Sequence, residues 1–270
     1  MKIAVLGPEG TFSHQAANLI DKKAEIVFVK TIRDVFEAVS EGKADKGVVP
    51  VENSVGGAVN FTLDALLDFD LNIEAEQIIP VIHHLMAPKE IELSEIKTLY
   101  LHEQTFSQCE DFIRKNMASA DVVETLSNGE SAKRVKENGG TSACMGPEIA
   151  AYIYGLKVIR SAVQDNRFNV TRFFVISNTE TKPTGYDRTS VTVYPQIDRP
   201  GLLWEILGIF NTNKINLTKI ESRPSKGKLG DYVFYLDFEG HIKEEKVKKA
   251  LGALEKMAFV KALGSYERKY

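Results

Sequence analysis

Residues 2–20 have the sequence KIAVLGPEGTFSHQAANLI. The apolar run Ile3–Leu6 predicts a buried strand, the glycines and proline that follow predict a turn, and Ser13–Ile20 has a helical pattern. A strand that passes through a short loop into a helix is the basic unit of an α/β fold. We therefore expect an α/β protein.

The same alternation of short apolar runs and helical patterns continues through roughly the first 180 residues. Alternation with short connections predicts parallel sheets covered by helices. Because this length exceeds one small sheet, we expect residues 1–178 to form two α/β lobes with a cleft between them. Lobe one comprises about residues 1–78 plus a return strand near 173–178, and lobe two comprises about residues 79–172. Among the predicted elements are the strand Ile78–Ile82, the helices Ala58–Leu67 and Phe106–Lys115, and a crossover between lobes at Ile78–Met86.

The last third of the chain has a different pattern. Residues 179–187 are polar and rich in turn-forming residues, which indicates a linker. Residues 188–270 follow the order βαββαβ, which is typical of a ferredoxin-like domain with four antiparallel strands and two helices on one face. The predicted elements are the strands Thr189–Tyr194, Asn216–Glu221, Tyr232–Phe238 and Val260–Tyr266 and the helices Leu202–Phe210 and Glu244–Met257.

Composition and charge exclude several classes of protein. Of the 270 residues, 43% are hydrophobic and 26% charged, as in ordinary globular proteins. The net charge of −3 provides no electrostatic footprint for nucleic acid, and no apolar run approaches the ~20 residues that span a bilayer. Cys109 and Cys144 lie far apart, and the histidines are not spaced as metal ligands. We expect a cytoplasmic protein that has no metal site and binds neither nucleic acid nor membranes.

Two polar loops follow predicted strands in lobe one. Residues 7–13 (GPEGTFS) lead into a helix, where free backbone N–H groups and the Thr11 hydroxyl can bind an anion. Residues 50–57 (PVENSVGG) combine the neutral donors and acceptors of Asn53 and Ser54 with glycines that let a ligand approach the backbone. Both loops would face the crevice where open α/β sheets bind ligands. Each loop also fits a plain strand-to-helix turn.

A third polar segment, residues 165–173 (DNRFNVTRF), precedes an apolar strand predicted at Phe173–Ile176. The Arg172 guanidinium can hold a carboxylate through two hydrogen bonds, and the Thr171 hydroxyl can donate to a leaving oxygen. The composition also fits a surface loop, and Arg172 has the alternative of turning away to pair with an acidic residue.

Taken in order, these three segments resemble the signatures of the prephenate dehydratase family. The family's Gly-Pro-x-Gly-Thr-Phe-Ser corresponds to residues 7–13, its Pro-x-Glu-Asn-Ser-x-x-Gly to residues 50–57, and its Thr-Arg-Phe to residues 171–173. The order βαββαβ resembles an ACT domain, with Arg199–Leu203 and Glu221–Pro224 at the positions of its two motifs. The resemblance covers essentially the whole chain.

The fold implied by this resemblance is a periplasmic-binding-protein-like catalytic domain of two lobes, over residues 1–178, followed by a regulatory ACT domain over residues 188–270. The implied reaction is the decarboxylating dehydration of prephenate to phenylpyruvate in L-phenylalanine biosynthesis, without a cofactor. Thr171 is the expected catalytic hydrogen-bond donor, and Arg172 the expected counter-ion of the pyruvyl carboxylate. Glu52 stays open between a proton source and a helix-start carboxylate. The expected substrate-binding residues are Thr11, Asn53, Ser54, Gly57, Asn169, Arg172 and Phe173.

The ACT-like part implies L-phenylalanine as an allosteric effector, bound between the subunits of a homodimer or homotetramer. At Gly201 a helix start exposes N–H groups for the amino acid's carboxylate. The expected effector-binding residues are Gly201, Leu202, Asn216, Glu221, Ser222, Arg223 and Pro224.

Two departures and two alternatives accompany this interpretation. The family commonly has His-Pro where this chain has His102-Glu103, and the residues before Ala150 are bulkier than usual. No chorismate mutase segment precedes Met1, so a monofunctional enzyme is expected. The main alternative is a non-enzymatic amino-acid sensor with a solute-binding fold, which only the segment 165–173 disfavours. A transferase or kinase with an ACT domain would need a phosphate-binding loop that the sequence lacks.

Overall fold

The computed structural model describes residues 1–197, 199–225 and 231–270. The chain forms three units, each built on one sheet. Residues up to Pro80 form β1 (Lys2–Leu6), α1 (Phe12–Ile20), β2 (Glu25–Val29), α2 (Ile32–Ser40), β3 (Lys46–Asn53), β4 (Gly57–Ala58), α3 (Asn60–Asp68) and β5 (Asn72–Pro80). The next stretch forms β6 (His84–Ala87), β7 (Thr98–His102), α4 (Glu103–Gln108), α5 (Glu110–Asn116), β8 (Asp121–Thr125), α6 (Asn128–Asn138), β9 (Ser142–Gly146), α7 (Glu148–Tyr154), β10 (Lys157–Arg160) and β11 (Val170–Ser177). The last unit contains β12 (Asp187–Pro195), α8 (Leu202–Thr212), β13 (Leu217–Pro224), β14 (Tyr232–Glu239), α9 (Glu245–Leu254) and β15 (Ala258–Glu267).

Lobe one is built on a sheet with the strand order β2-β1-β3-β11-β5. Its interior strand β1 is apolar at every buried position because it lies between two parallel neighbours, β2 and β3. The strand β11 returns from the second lobe and pairs antiparallel with both β3 and β5. The lobe thus contains residues that are more than 110 positions apart in the chain.

Lobe two is built on a sheet with the strand order β10-β6-β9-β7-β8. Here β7 is parallel to β8 and β9, whereas β6 is antiparallel to β9 and β10. The two-lobed α/β architecture is confirmed, and β1–β3 and β7–β9 pair in parallel as predicted. Each sheet is mixed, however, because the strands that follow the crossings between the lobes, β6 and β11, run antiparallel to their neighbours.

The third unit, residues 187–267, has the predicted order βαββαβ and the antiparallel strand order β13-β14-β12-β15. Its helices α8 and α9 cover one face of the sheet, with a core that includes Ile206, Phe210 and Leu254. The other face packs on lobe one, where Tyr235 and Leu263 join the same apolar cluster as residues of α2 and α3. The third unit therefore packs directly on lobe one, which contains β3 and β11.

Several element boundaries differ from the predictions. The predicted strand Ile78–Ile82 overlaps only the end of β5, and the predicted helix Phe106–Lys115 is broken at Cys109 between α4 and α5. The loop predicted at Pro50–Gly57 lies largely within β3 and the short hairpin to β4. In the part of the chain that is described, no helix has both the length and the apolar character needed to cross a membrane.

Candidate active site

A cavity of about 960 Å³ lies between lobe one and lobe two. Lobe one contributes the loop after β1, the end of β3 and the start of β11. Lobe two contributes α4, the start of α6 and the segment before β6. The polar residues that line the cavity include Thr11, Ser13, Asn53 and Thr171 from lobe one and His83, His102, Gln104, Thr105, Gln108, Ser127 and Asn128 from lobe two.

Thr11 brings the amino end of α1 to the cavity. Its Oγ1 accepts a hydrogen bond from His14 N (3.3 Å), so Thr11 caps the helix. Gly7 and Pro8 line the same wall. The loop therefore places the positive end of the α1 dipole at the edge of the cavity.

Asn53 and Thr171 form a pair across the neighbouring strands β3 and β11. The Asn53 Oδ1 accepts hydrogen bonds from the backbone N–H groups of Val55 (3.0 Å) and Gly56 (2.7 Å), so the other end of the amide must be its NH₂ group. That Nδ2 donates to Asn169 Oδ1 (2.7 Å), and its other N–H lies between Thr171 Oγ1 (3.0 Å) and Val170 O (3.1 Å). Because Thr171 Oγ1 is an acceptor here, and among the described residues it donates no hydrogen bond, its proton is available to a ligand in the cavity.

Arg172 does not face the cavity, so its predicted role as a substrate counter-ion is wrong for this structure. Along a strand successive side chains point to opposite faces, and Thr171 takes the face that lines the cavity. The buried Arg172 guanidinium donates to Glu76 (Nε–Oε2 2.6 Å), to Asp237 (Nη1–Oδ2 2.6 Å) and to the Tyr266 hydroxyl (Nη2–Oη 2.8 Å). Burial alone would lower the pKa of Arg172, but the acidic groups of Tyr266, Asp237 and Glu76 outweigh burial and raise this pKa above its ordinary value.

Three other residues predicted to bind substrate do not line the cavity. Ser54 is exposed, and its Oγ donates to Phe168 O (3.2 Å) and accepts from Val170 N (3.0 Å), so it fastens the hairpin to the start of β11. Gly57 lies in β4 with a φ of 76°, a left-handed conformation that the hairpin requires. Asn169 is buried behind Asn53 and supports its amide. Phe173, in contrast, lines the cavity as predicted.

Glu52 takes neither of the two roles considered for it. It lies on β3, one residue before Asn53, and its side chain points to the other face of the sheet. Its Oε1 pairs with Lys219 Nζ of the third unit at 3.1 Å. Glu52 is therefore neither a proton source in the cavity nor a carboxylate at a helix start.

The wall from lobe two contains functional candidates that the sequence analysis missed. His83 Nε2 is hydrogen-bonded to Gln108 Oε1 (2.8 Å), and burial lowers the pKa of His83 to about 4, so its ring is neutral at physiological pH. His102 caps α4, its Nδ1 accepting from Gln104 N (3.2 Å). His83 and His102 each follow a predicted strand, and this position is the one signal that the sequence offers for a functional role. That they lie across the cavity from Thr171 depends on how the two lobes meet.

The cavity has little charge. The basic residues among its described lining are Lys30 and Lys133, both exposed, and its acidic residue is Glu130. The Leu126 N–H and the Arg134 guanidinium lower the pKa of Glu130, which therefore stays ionised at neutral pH. The described residues include no cluster of three or more His, Cys, Asp or Glu side chains that could hold a metal ion.

Sequence comparison assigns this arrangement to a family. The profile of the prephenate dehydratase family matches residues 3–181, and that of the ACT domain matches residues 189–256. This chain belongs to the prephenate dehydratase family. It is 43% identical over 270 residues to the bifunctional chorismate mutase/prephenate dehydratase of Aquifex aeolicus, which covers 99% of this chain and 74% of that protein.

Two further relatives of the prephenate dehydratase family match over nearly their whole length. The prephenate dehydratase of Bacillus subtilis is 33% identical, with 99% of both chains covered. The crystal structure of prephenate dehydratase in complex with L-Phe from Arthrobacter aurescens superposes with a TM-score of 0.92 at 36% identity, covering 99% of this chain and 90% of that chain. The family's Thr-Arg-Phe signature is thus a strand in which Thr171 and Phe173 line the cavity and Arg172 does not.

The residues of the ACT domain that are predicted to bind the effector fall into two places. Gly201, with a φ of 85°, is the exposed N-cap of α8, followed by the buried Leu202. The segment Glu221–Pro224 lies on the edge strand β13, where Arg223 pairs with Asp64 of lobe one (Nη2–Oδ1 3.0 Å). Asn216, just before β13, donates to Glu239 Oε1 (3.2 Å). Their role toward an effector stays a prediction.

Proposed function

We propose that this protein is a prephenate dehydratase that converts prephenate to phenylpyruvate, water and carbon dioxide and is feedback-regulated by L-phenylalanine. Membership of the family and the cavity between the lobes support this function. The observation that carries it is the Asn53–Thr171 pair, because the amide fixes the hydroxyl oxygen as an acceptor and so directs its proton toward a ligand.

The chemistry of the substrate defines what the site must supply. Prephenate carries a ring carboxylate, a pyruvyl carboxylate and a ring hydroxyl opposite the first. When the ring carboxylate leaves as carbon dioxide, its electron pair moves through the ring and expels the hydroxyl as hydroxide, and the ring becomes aromatic. Because aromatisation drives the reaction, the site needs to orient the substrate and to stabilise the departing hydroxide, and it needs no cofactor.

Thr171 fits the second requirement as a hydrogen-bond donor rather than as an acid. Two ionisable groups of the cavity wall are unsuited as general acids at neutral pH, since the lowered pKa of Glu130 keeps it ionised and the pKa of His83, about 4, keeps it neutral. The hydroxide would therefore leave as an anion stabilised by the Thr171 hydroxyl and take its proton from solvent.

With Arg172 facing away, the substrate's carboxylates must be held by other groups. Gln104, Gln108 and the helix end at Thr11 offer neutral donors inside the cavity, and Lys30 and Lys133 offer positive charge at its walls. Weak binding of the ring carboxylate favours the reaction, because a cation paired with that group would stabilise the substrate more than the transition state.

Regulation by L-phenylalanine is the second half of this proposal. Support comes from the match to the ACT domain and from the relative whose structure contains L-Phe. We assign the effector to Gly201, Leu202, Asn216 and Glu221–Pro224, in a homodimer or homotetramer located in the cytoplasm.

The first experiment is to measure phenylpyruvate formation from prephenate by the purified protein, with and without L-phenylalanine. Turnover that L-phenylalanine suppresses is the expected result, and turnover without suppression would reject only the effector assignment. No turnover from folded protein that still binds prephenate would instead favour the amino-acid sensor.

The variant Asn53→Asp tests the observation on which the proposal depends. A carboxylate at this position can still accept from Val55 and Gly56, but it accepts rather than donates toward Thr171, so the hydroxyl proton would turn to it and away from the substrate. We expect kcat to fall by about 10²–10³-fold. Full activity in Asn53→Asp would contradict the proposed role of the amide.

A further inference from the structure

Asn53 and Thr171, the cavity pair, are each followed or preceded directly in the chain by a charged residue. These residues, Glu52 and Arg172, lie opposite each other in the same register and are called the charged pair. Thr171 pairs with Asn53 and Arg172 pairs with Glu52 across β3 and β11. Because side chains alternate along a strand, the charged pair lies on the sheet face opposite the cavity. That face is the one on which the ACT domain packs. A displacement of Glu52 and Arg172 therefore also displaces Asn53 and Thr171.

The charged pair reaches three of the four strands of the ACT sheet. Arg172 donates to Asp237 on β14 (2.6 Å) and to Tyr266 on β15 (2.8 Å). Glu52 pairs with Lys219 on β13 (3.1 Å), and its Oε2 lies 3.8 Å from Arg172 Nη1. Ionic contacts thus join the ACT sheet to β3, which carries Asn53, and to β11, which carries Thr171.

These contacts belong to a buried cluster with balanced charge. Glu76 on β5 accepts from Arg172 and also from Arg188 on β12 (2.8 Å), and Ser190 donates to Asp237 (2.6 Å). Arg172, Arg188, Glu76 and Asp237 are each at most 4% exposed. A buried cluster of this kind tolerates only discrete arrangements, since sliding one sheet past the other would leave charges without partners.

One member of the contact lies close to the segment assigned to the effector. Lys219 is two residues before Glu221 on the edge strand β13. A shift of β13 on effector binding would move the Lys219 ammonium relative to Glu52, and Glu52 is adjacent to Asn53. The same strand therefore carries the effector segment and a contact to the lobe with the reactive hydroxyl.

We infer that Glu52 and Arg172 are positioning residues, which hold Asn53 and Thr171 in register with the ACT sheet and transmit the state of that sheet to the Thr171 hydroxyl. This inference rests on the proposed function and deepens it. Neither residue lines the cavity. Their ionic contacts to Lys219 and Asp237, and the hydrogen bond from Arg172 to Tyr266, make turnover depend on how the ACT domain packs on lobe one, which is the differential contact that allosteric coupling requires.

The variant Lys219→Met tests this coupling because it removes one contact outside the cavity and outside the segment 221–224. We expect kcat to fall about 3–10-fold with KM changed less than twofold, and the L-phenylalanine concentration for half-inhibition to rise at least 5-fold. Lys219→Arg, which keeps the charge, should restore both values. Lys248→Met is the matched control, since Lys248 pairs with Glu245 on the exposed side of α9 and should leave both values unchanged.

A second variant guards against a local effect at position 219. Tyr266→Phe removes the hydroxyl that accepts from Arg172 and should change kcat and inhibition in the same directions. If the wild-type protein turns over prephenate and both variants behave like it, the inference is wrong and the proposed function stands. A wild-type protein without turnover would reject the proposed function and the inference together. Turnover without inhibition would reject the transmitted signal, and the kcat of the two variants would then decide the positioning role alone.

Discussion

At the scale of single residues, the proposed chemistry depends on the Thr171 hydroxyl, whose oxygen is occupied by the Asn53 amide. Thr171→Val keeps the branched shape and removes the O–H group. We expect kcat to fall by about 10²–10³-fold with little change in KM, because the lost hydrogen bond forms to the departing hydroxide in the transition state. Thr171→Ser should retain much of the activity. Steady-state kinetics with prephenate provide the test, and unchanged kcat in Thr171→Val would remove Thr171 from the mechanism.

His83 makes stability depend on pH. Its folded-state pKa of about 4 lies below the ordinary value of 6.5, because burial penalises the charged ring. Between these values the unfolded chain binds the additional proton, so the free energy of unfolding should fall by up to about 1.4 kcal/mol for each pH unit of acidification. Above pH 6.5 both states are neutral, and this effect is absent.

His83→Gln isolates this contribution. The free energy of unfolding, measured by denaturant titration at several pH values, should decrease less steeply in the variant between pH 6.5 and 4. The two proteins should have parallel pH profiles above that range. Parallel profiles across the whole range would show that His83 titrates normally.

At the scale of elements, the strand β11 shows how far the sequence could predict the site. The sequence predicts Thr171 and Phe173 at the cavity, where the structure has them, but it also predicts that the return strand starts at Phe173, whereas the strand starts at Val170. A loop lets Thr171 and Arg172 face one ligand together, and a strand forces them to opposite faces. The role predicted for Arg172 is wrong because the start of this strand is predicted three residues too late.

Other parts of the site depend on pairings that a sequence does not display. The register that sets Asn53 against Thr171 joins positions more than 110 residues apart. The wall with Gln104 and Gln108 faces Thr171 only through the meeting of two separate sheets. By contrast, the order βαββαβ was predictable, because each element there depends on local periodicity and turns.

The start of α6 determines how closely lobe two approaches lobe one. A Cβ at Gly129 would lie 2.1 Å from Glu9 O and 3.0 Å from the Pro8 side chain, so this glycine lets lobe two touch the loop after β1. Gly129→Ala should therefore hold the lobes apart and raise KM for prephenate about 5–30-fold, in line with a loss of roughly 1–2 kcal/mol of binding.

The control for this prediction is Gly252→Ala, because Gly252 lies in α9 and an added Cβ there would point into open space. That variant should keep the wild-type KM. Equal KM values in Gly129→Ala and Gly252→Ala would mean that the lobes close without this contact.

At the scale of the whole molecule, the ACT domain and lobe one behave as one packed body. An apolar cluster runs from α2 and α3 through to Tyr235, Leu263 and Tyr266, and the buried ionic cluster lies beside it. The cavity between the lobes thus has one wall that is fixed to the regulatory domain and one wall, lobe two, that approaches it. A signal from the ACT domain would reach the reaction through the fixed wall.

Gly264 tests the importance of this docking for the whole chain. A Cβ there would lie 2.3 Å from Ile73 O and 2.8 Å from Ile73 N, and the φ of 141° is unfavourable for other residues. Gly264→Ala must therefore move β15 away from β5, and we expect the free energy of unfolding to fall by about 2–4 kcal/mol. In the same domain, Gly252→Ala has room for its methyl group and should be neutral or more stable by about 0.5–1 kcal/mol. Denaturant unfolding of both variants, followed by L-phenylalanine inhibition of each, tests the prediction. If Gly264→Ala matched Gly252→Ala in both measurements, close docking of the ACT sheet on lobe one would contribute neither stability nor regulation.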